Sequence, residues 1–94
     1  MIEWKHIEGK NKGKVRLYAL STCVWCKKTK KLLDQLGVAY DHLDIDLLSD
    51  AESDKIEAEE VKKWNPKLNY PTMVVNDSKA IVGYSEDEVK KLLG

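Results

Sequence analysis

The chain of 94 residues is 43% hydrophobic and carries sixteen basic against sixteen acidic side chains, so its formal net charge is zero. This length fits one domain spanning residues 1–94, and the balanced charge argues against a dedicated nucleic-acid-binding protein. No apolar run approaches the ~20 residues that a membrane-spanning helix needs, and residues 1–5 lack the apolar stretch of a signal peptide. We therefore expect a cytoplasmic protein that binds neither membranes nor nucleic acids.

The N-terminal extension, residues 1–13, matches no obvious secondary-structure pattern. Its apolar side chains alternate loosely towards a turn that ends at Gly13, and they are Ile2, Trp4 and Ile7. We expect this extension either to remain irregular or to add a strand that folds back on the first strand of the core.

The core, residues 14–94, begins with a strand, a helix and a second strand. The run Lys14–Leu20 alternates and is rich in β-prone residues, which predicts the first strand. A helix begins near Cys23, and Gly37 is expected to end it. Its inward positions recur at helical spacing as Cys26, Thr29, Leu32, Leu33 and Leu36. Residues 38–45 alternate again, so the three elements predict a right-handed parallel crossover.

The second half of the core predicts a helix, a hairpin and a final helix. The first of these helices runs from Ser49 or Asp50 to about Trp64, acidic at its start and basic at its end. Strands are expected over residues 72–75 and 79–82, joined by a turn at 76–78. Ser85 begins the last helix, with Glu88 in a capping-box position. The order β-α-β-α-β-β-α predicts an α/β fold around a four-stranded mixed sheet.

Two cysteines three positions apart, Cys23 and Cys26, carry the strongest chemical signal. Cys23 is expected at the start of a helix, where free backbone N–H groups and the helix dipole favour a thiolate. Cys26 follows one turn later on the inward face, close enough for a disulfide. Because a thiolate is the attacking species in thiol–disulfide exchange, we interpret Cys23 as the nucleophile and Cys26 as the resolving thiol.

A zinc half-site is the structural alternative for this spacing, and it needs two further ligands. The available histidines, His6 and His42, lie far apart in the sequence rather than in a short ligand motif. Ordinary structural roles fit them better than metal binding, so the residues favour redox chemistry and the prediction includes no metal.

Several segments together resemble the glutaredoxin family. The run Leu17–Leu33 resembles its first strand, active site and first helix, and residues 37–46 look like its second strand. Tyr70-Pro71-Thr72 stands where the family has a cis-proline loop, and Val82–Glu86 stands where it has a Gly-Gly-x-[Ser/Asp]-Asp stretch. The similarity covers residues 14–94 in the family's order.

The resemblance implies a thioredoxin-like fold and a thiol–disulfide oxidoreductase that reduces protein or mixed disulfides. Pro71 would be cis, and Tyr70 would offer its backbone to the cysteinyl part of a bound thiol. Tyr84 and Ser85 would lie where backbone N–H groups at a helix start can hold a carboxylate. Trp25 and Tyr70 would form an apolar rim suited to a peptide substrate. The chain would act as a monomer without a permanently bound cofactor.

Four departures from the family pattern concern the electron donor. Val24 replaces the usual proline, Leu20 replaces a carboxylate-binding lysine, Gly83 is the single glycine of a usual pair, and Tyr70 replaces a common valine. The donor therefore stays open between glutathione, another low-molecular-weight thiol and a flavoprotein reductase of the thioredoxin type. Two alternative functions also stay open: an iron–sulfur cluster carrier that ligates a cluster between subunits through Cys23, and a redox-inert protein-binding module.

Overall fold

Five short β-prone segments form the sheet of the protein. The structure is a computed structural model, and it describes residues 2–94. The strands are β1 (Lys5–Ile7), β2 (Val15–Ala19), β3 (Tyr40–Asp44), β4 (Thr72–Val75) and β5 (Lys79–Val82). Their order is β1-β3-β2-β4-β5, with β2 and β3 parallel and all other neighbours antiparallel. The expected mixed sheet is confirmed, and the N-terminal extension adds a fifth strand to its four core strands.

The helices follow the expected order, with one irregularity. They are α1 (Val24–Leu36), α2 (Asp50–Ile56), α3 (Lys62–Trp64) and α4 (Glu86–Leu93). Between α2 and α3 the chain continues as a π-helical segment, Glu57–Val61, so that one long helix has a widened turn near its centre. Within residues 2–94, no helix combines the length and the apolar character needed to cross a membrane.

The helix ends are set by the residues that the sequence pattern indicates. Gly37 follows α1 in the left-handed region at φ 67°, and its N–H reaches the Asp34 and Leu33 carbonyls. Ser49, rather than Asp50, precedes α2 as its cap and shares a reciprocal capping box with Glu52. These local contacts explain why the helix boundaries could be predicted closely.

The added strand β1 pairs antiparallel with β3, which corrects the expectation that it folds back on the first core strand. The reason is hydrogen-bonding capacity, because β2 already has β3 and β4 on its two edges. Beyond β1, the N–H of Lys10 donates to the Gly37 carbonyl at 2.7 Å, and the Ala39 N–H donates to the Lys10 carbonyl at 2.9 Å. The extension therefore covers the β3 edge next to the end of α1.

The sheet carries a hydrophobic cluster on each face. Along β2, Leu17 faces the cluster that includes residues of α1 and α4, whereas Tyr18 faces the cluster beneath the long helix. On the second face, Trp4 packs edge-on against Tyr18 with ring centroids 5.1 Å apart, and Trp64 packs against the same cluster. Both tryptophans therefore pack against the core.

Candidate active site

Cys23 lies at the junction between β2 and α1 and is the N-cap residue of that helix. Its backbone is extended, so α1 begins at Val24 and the thiol remains at the first free N–H groups. The N–H of Cys26 donates to Cys23 Sγ at 3.2 Å. Cys23 is partly exposed and stands at the positive end of the α1 dipole.

Cys26 lies one turn further along α1 and is fully buried, with 0% of its surface exposed. Burial, followed by its hydrogen bond with Cys23, raises the pKa of the Cys26 thiol well above its ordinary value. Both cysteines are free thiols in this structure. The two sulfurs thus have unequal access to solvent, although they belong to consecutive turns of one helix.

The loop before β4 lies against Cys23, and its Tyr70–Pro71 peptide bond is cis, as the resemblance implied. The Tyr70 carbonyl oxygen is 4.0 Å from Cys23 Sγ, within reach of a weak S–H hydrogen bond. The N–H of Gly83 donates to the Pro71 carbonyl at 2.7 Å, which ties this loop to the end of β5. Three separate stretches of chain therefore meet near the exposed sulfur.

An open cavity of about 280 Å³, which we name the aromatic slot, is lined by Trp25, Tyr70, Gly83 and Tyr84. The rings of Trp25 and Tyr84 stack with centroids 5.8 Å apart and an interplanar angle of 29°. Lys28 places its Nζ 4.4 Å from the centroid of the Trp25 ring. The slot is thus an apolar surface with aromatic walls, formed by the residue before Cys26, by the loop that touches Cys23 and by the segment between β5 and α4.

Ser85, like Pro71, is a predicted binding residue that does not line the slot. It is the N-cap of α4, and its Oγ accepts a hydrogen bond from the Glu88 N–H at 3.4 Å. The first turn of this helix contains three carboxylates, Glu86, Asp87 and Glu88. Their negative charge opposes the attraction of the helix start for an anion.

Two contacts near the site were not foreseen in the sequence. Asp46 accepts hydrogen bonds from the Ser21 N–H at 2.8 Å and from its Oγ at 2.5 Å, holding the loop that leads to Cys23. Glu57 accepts a hydrogen bond from the Tyr70 hydroxyl at 2.7 Å across thirteen positions of sequence. No local pattern marks either pair, because their members belong to different elements.

The histidines take part in contacts away from the cysteines. His6 on β1 lies 2.8 Å from Asp41 on β3 through its Nδ1. His42 on β3 is buried, and burial, followed by the charge of Lys30, lowers its pKa. Among residues 2–94, no group of three or more His, Cys, Asp and Glu side chains is arranged to hold a metal ion.

Comparison with known proteins agrees with this arrangement. Residues 15–79, more than half of the chain, match the family model described as glutaredoxin. The chain belongs to the glutaredoxin family. This glutaredoxin is 30% identical over 79 residues to an uncharacterized glutaredoxin-like 8.6 kDa protein of the rubredoxin operon of Clostridium pasteurianum. The alignment covers 84% of this chain and 96% of that protein.

Two solved structures from Methanosarcina species are similar to this chain over most of their lengths. The glutaredoxin from Methanosarcina mazei is 49% identical, with a TM-score of 0.87, and the match covers 97% of this chain and 87% of that one. The methanoredoxin of Methanosarcina acetivorans is 46% identical, with a TM-score of 0.86 and coverage of 92% and 90%. The thioredoxin-like α/β fold is therefore confirmed, together with the Cys-x-x-Cys motif of a thiol oxidoreductase family.

Proposed function

We propose that this glutaredoxin reduces protein or mixed disulfides through Cys23 and Cys26. The observation that carries the proposal is the unequal placement of the two sulfurs. Cys23 is partly exposed and caps α1, and its Sγ accepts the Cys26 N–H, whereas Cys26 is buried with a raised thiol pKa. This arrangement suits one attacking and one resolving cysteine.

The reaction proceeds through two exchanges that balance in atoms and electrons. Cys23 thiolate attacks one sulfur of the substrate disulfide, forms a mixed disulfide and expels the other substrate sulfur as a thiolate. Cys26 then loses its proton and attacks Cys23 Sγ, which releases the second substrate thiol. The protein is left with a Cys23–Cys26 disulfide, which two electrons from an external donor return to the dithiol.

Substrate binding in this proposal uses the surfaces beside Cys23. The Tyr70 backbone, next to Pro71, aligns the cysteinyl part of the substrate with the attacking sulfur. The aromatic slot, with Trp25 at 53% exposure, receives an apolar neighbour of that cysteine. The family resemblance assigns carboxylate binding to Tyr84 and Ser85 at the start of α4, and the acidic side chains in the first turn of that helix weaken such binding.

The electron donor is proposed to be a small thiol or a flavoprotein reductase that does not depend on a carboxylate clamp. Leu20 offers no cation to a glutathione carboxylate, and the α4 start carries carboxylates of its own at residues 86–88. Glutathione, the donor that the family resemblance suggests, is therefore expected to work less well than a donor without this requirement. We place the protein in the cytoplasm, because a two-cysteine redox motif suits a reducing compartment. We also propose that it acts as a monomer.

Cysteine variants test the reaction with insulin and with a small mixed disulfide as substrates. Cys23→Ser is expected to abolish turnover, whereas Cys26→Ser is expected to accumulate a mixed disulfide on Cys23 that mass spectrometry detects. Full activity of the Cys23→Ser variant would contradict the proposal. The donors to compare are glutathione, cysteine, uncharged 2-mercaptoethanol and a thioredoxin-type reductase with NADPH; turnover fastest with glutathione would contradict the proposed donor preference.

Cluster transfer is the second candidate function, and Val24 is the observation that favours it. This residue stands in place of proline directly after Cys23 and is 63% exposed. No pyrrolidine ring therefore lies beside the sulfur. In this alternative, Cys23 of two subunits ligates an iron–sulfur cluster as cargo. Purified protein that stays colourless after anaerobic reconstitution with iron and sulfide would exclude it.

A further inference from the structure

The π-helical segment Glu57–Val61 interrupts the long helix without an obvious local cause. It contains neither glycine nor proline, and the helix continues after it as α3, so it is not a frayed end. Single π turns inside α-helices are rare, and they occur frequently at functional sites. The contacts made by the widened turn therefore bear on function.

The widened turn places two carboxylates on two tyrosine hydroxyls. Tyr18 donates to Glu60 Oε1 at 2.6 Å, and Tyr70 donates to Glu57 Oε2 at 2.7 Å. Hydrogen bonds to a charged acceptor are among the strong ones in proteins. Burial, followed by these glutamates, raises the pKa of both phenols above the ordinary range, so both hydroxyls remain donors.

The two tyrosines lead to different parts of the molecule. Tyr18 is fully buried on β2 and belongs to the hydrophobic cluster beneath the long helix. Tyr70 is partly buried, packs against both clusters, and is one of the residues that line the aromatic slot. Its carbonyl oxygen is also the group 4.0 Å from Cys23 Sγ. A change in the Tyr70 ring therefore reaches the active site, whereas a change in Tyr18 stays in the core.

We infer that Glu57 is a positioning residue of the active site. It fixes the Tyr70 ring and so sets the opening of the aromatic slot. The slot receives an apolar or aromatic group next to the attacked sulfur of the substrate. Glu57 acts through Tyr70 and touches no substrate itself. A tyrosine side chain has two rotatable bonds, and its hydrogen bond to Glu57 holds the far end of the ring. This inference rests on the proposed function only in assuming that Cys23 is the reacting sulfur.

Glu60 provides a matched control for Glu57. Both glutamates lie in the same π-helical segment, both are partly buried, and both accept a hydrogen bond from a tyrosine hydroxyl. The variants Glu57→Gln and Glu60→Gln remove the same charge, keep the side-chain volume and leave a neutral acceptor. If these contacts are purely structural, the two variants should have the same substrate preference and the same stability.

The first test compares two mixed disulfides of cysteine, one with benzyl mercaptan and one with methanethiol. The wild-type protein is expected to prefer the benzyl compound in kcat/KM. Glu57→Gln should lower this preference about fivefold through KM, the size expected when a charged acceptor becomes neutral. Glu60→Gln should keep the preference within about twofold, while thermal unfolding midpoints of both variants fall alike.

The second test needs no turnover and uses Cys23 alkylation in the Cys26→Ser background. The ratio of rates with N-benzyliodoacetamide and iodoacetamide should fall in Glu57→Gln and in Tyr70→Phe, without a further fall in the double variant. Equal ratios in Glu57→Gln and Glu60→Gln, or no benzyl preference in the wild type, would overturn the inference. A wild type that reduces neither disulfide but shows the expected alkylation ratios would refute the proposed function and support the role of Glu57.

Discussion

Cys23 and Cys26 lie one helical turn apart, yet their surroundings give the two thiols different properties. Cys23 is at the helix start and is partly exposed, whereas Cys26 is on the inward face of α1 with no exposed surface. Desolvation penalises a buried thiolate, and this is the main reason for the raised Cys26 pKa. The buried thiol therefore stays protonated until a mixed disulfide at Cys23 brings its target within reach.

Alkylation of the reduced protein tests this difference between the thiols. Iodoacetamide at pH 8 is expected to modify Cys23 and to leave Cys26 unmodified, because Cys26 is both inaccessible and protonated. Mass spectrometry of peptides should show one adduct in native buffer and two adducts in urea. Equal rates of modification at the two cysteines in native buffer would contradict the arrangement.

At the scale of the elements, the end of α1 opposite Cys23 is where the N-terminal extension is fixed. A Cβ atom added to Gly9 would lie 2.6 Å from the Val38 carbonyl carbon and 2.7 Å from the Ala39 nitrogen. These are backbone atoms of the loop that follows α1, and they cannot move aside like the end of a side chain. Gly9 therefore allows the extension to approach this loop closely enough for its hydrogen bonds.

Two glycine variants separate a steric cause from a conformational one. Gly37→Ala meets no atom within 4 Å, so its expected cost is the left-handed φ alone, about 1 kcal/mol. Gly9→Ala is expected to cost about 2–3 kcal/mol, because the overpacked extension must shift and lose its pairing. Urea unfolding measures both values. Gly9→Ala should keep the disulfide reductase rate, since Cys23 lies at the other end of α1. A larger loss in Gly37→Ala than in Gly9→Ala would contradict this explanation.

At the scale of the whole molecule, buried groups that hold protons connect its stability to pH. Burial raises the pKa of four groups above their ordinary values, which are 9.0 for the thiol and 10.0 for the phenols: Cys26, Tyr18, Tyr40 and Tyr70. Above those values the unfolded chain releases protons that the folded protein retains. The stabilisation is therefore complete below about pH 9 and decreases as pH rises.

Thermal unfolding between pH 8 and pH 11 checks this alkaline sensitivity. The midpoint is expected to fall steadily above about pH 9, and each titrating group contributes about 1.4 kcal/mol per pH unit. Tyr40→Phe is a suitable control, because burial raises the Tyr40 pKa to about 12 and its hydroxyl is 3.4 Å from Asp34, a weak contact. This variant should lose less stability between pH 10 and pH 11. A midpoint independent of pH over this range would refute the prediction.

The accuracy of the predictions depended on the range of the interactions involved. The caps at Gly37, Ser49 and Ser85, and the hairpin turn after β4, follow from residues within four positions of one another. The partner of β1 was wrong in the sequence-based interpretation, because it depends on which sheet edge remains free after the core has formed. Stacking between Trp25 and Tyr84 also had no local signal, since the two residues lie far apart in the sequence.

The sequence by itself determined the order of the elements, the two cysteines at a helix start and the family to which the chain belongs, because periodicity and caps are short-range properties. Only the tertiary structure decided that Tyr70 links the site to the long helix. Its hydroxyl reaches Glu57 across thirteen positions, and its carbonyl reaches Cys23 across forty-seven. Such contacts depend on how two helices and a loop pack on one sheet. Local propensity carries no information about which distant residues this packing brings together.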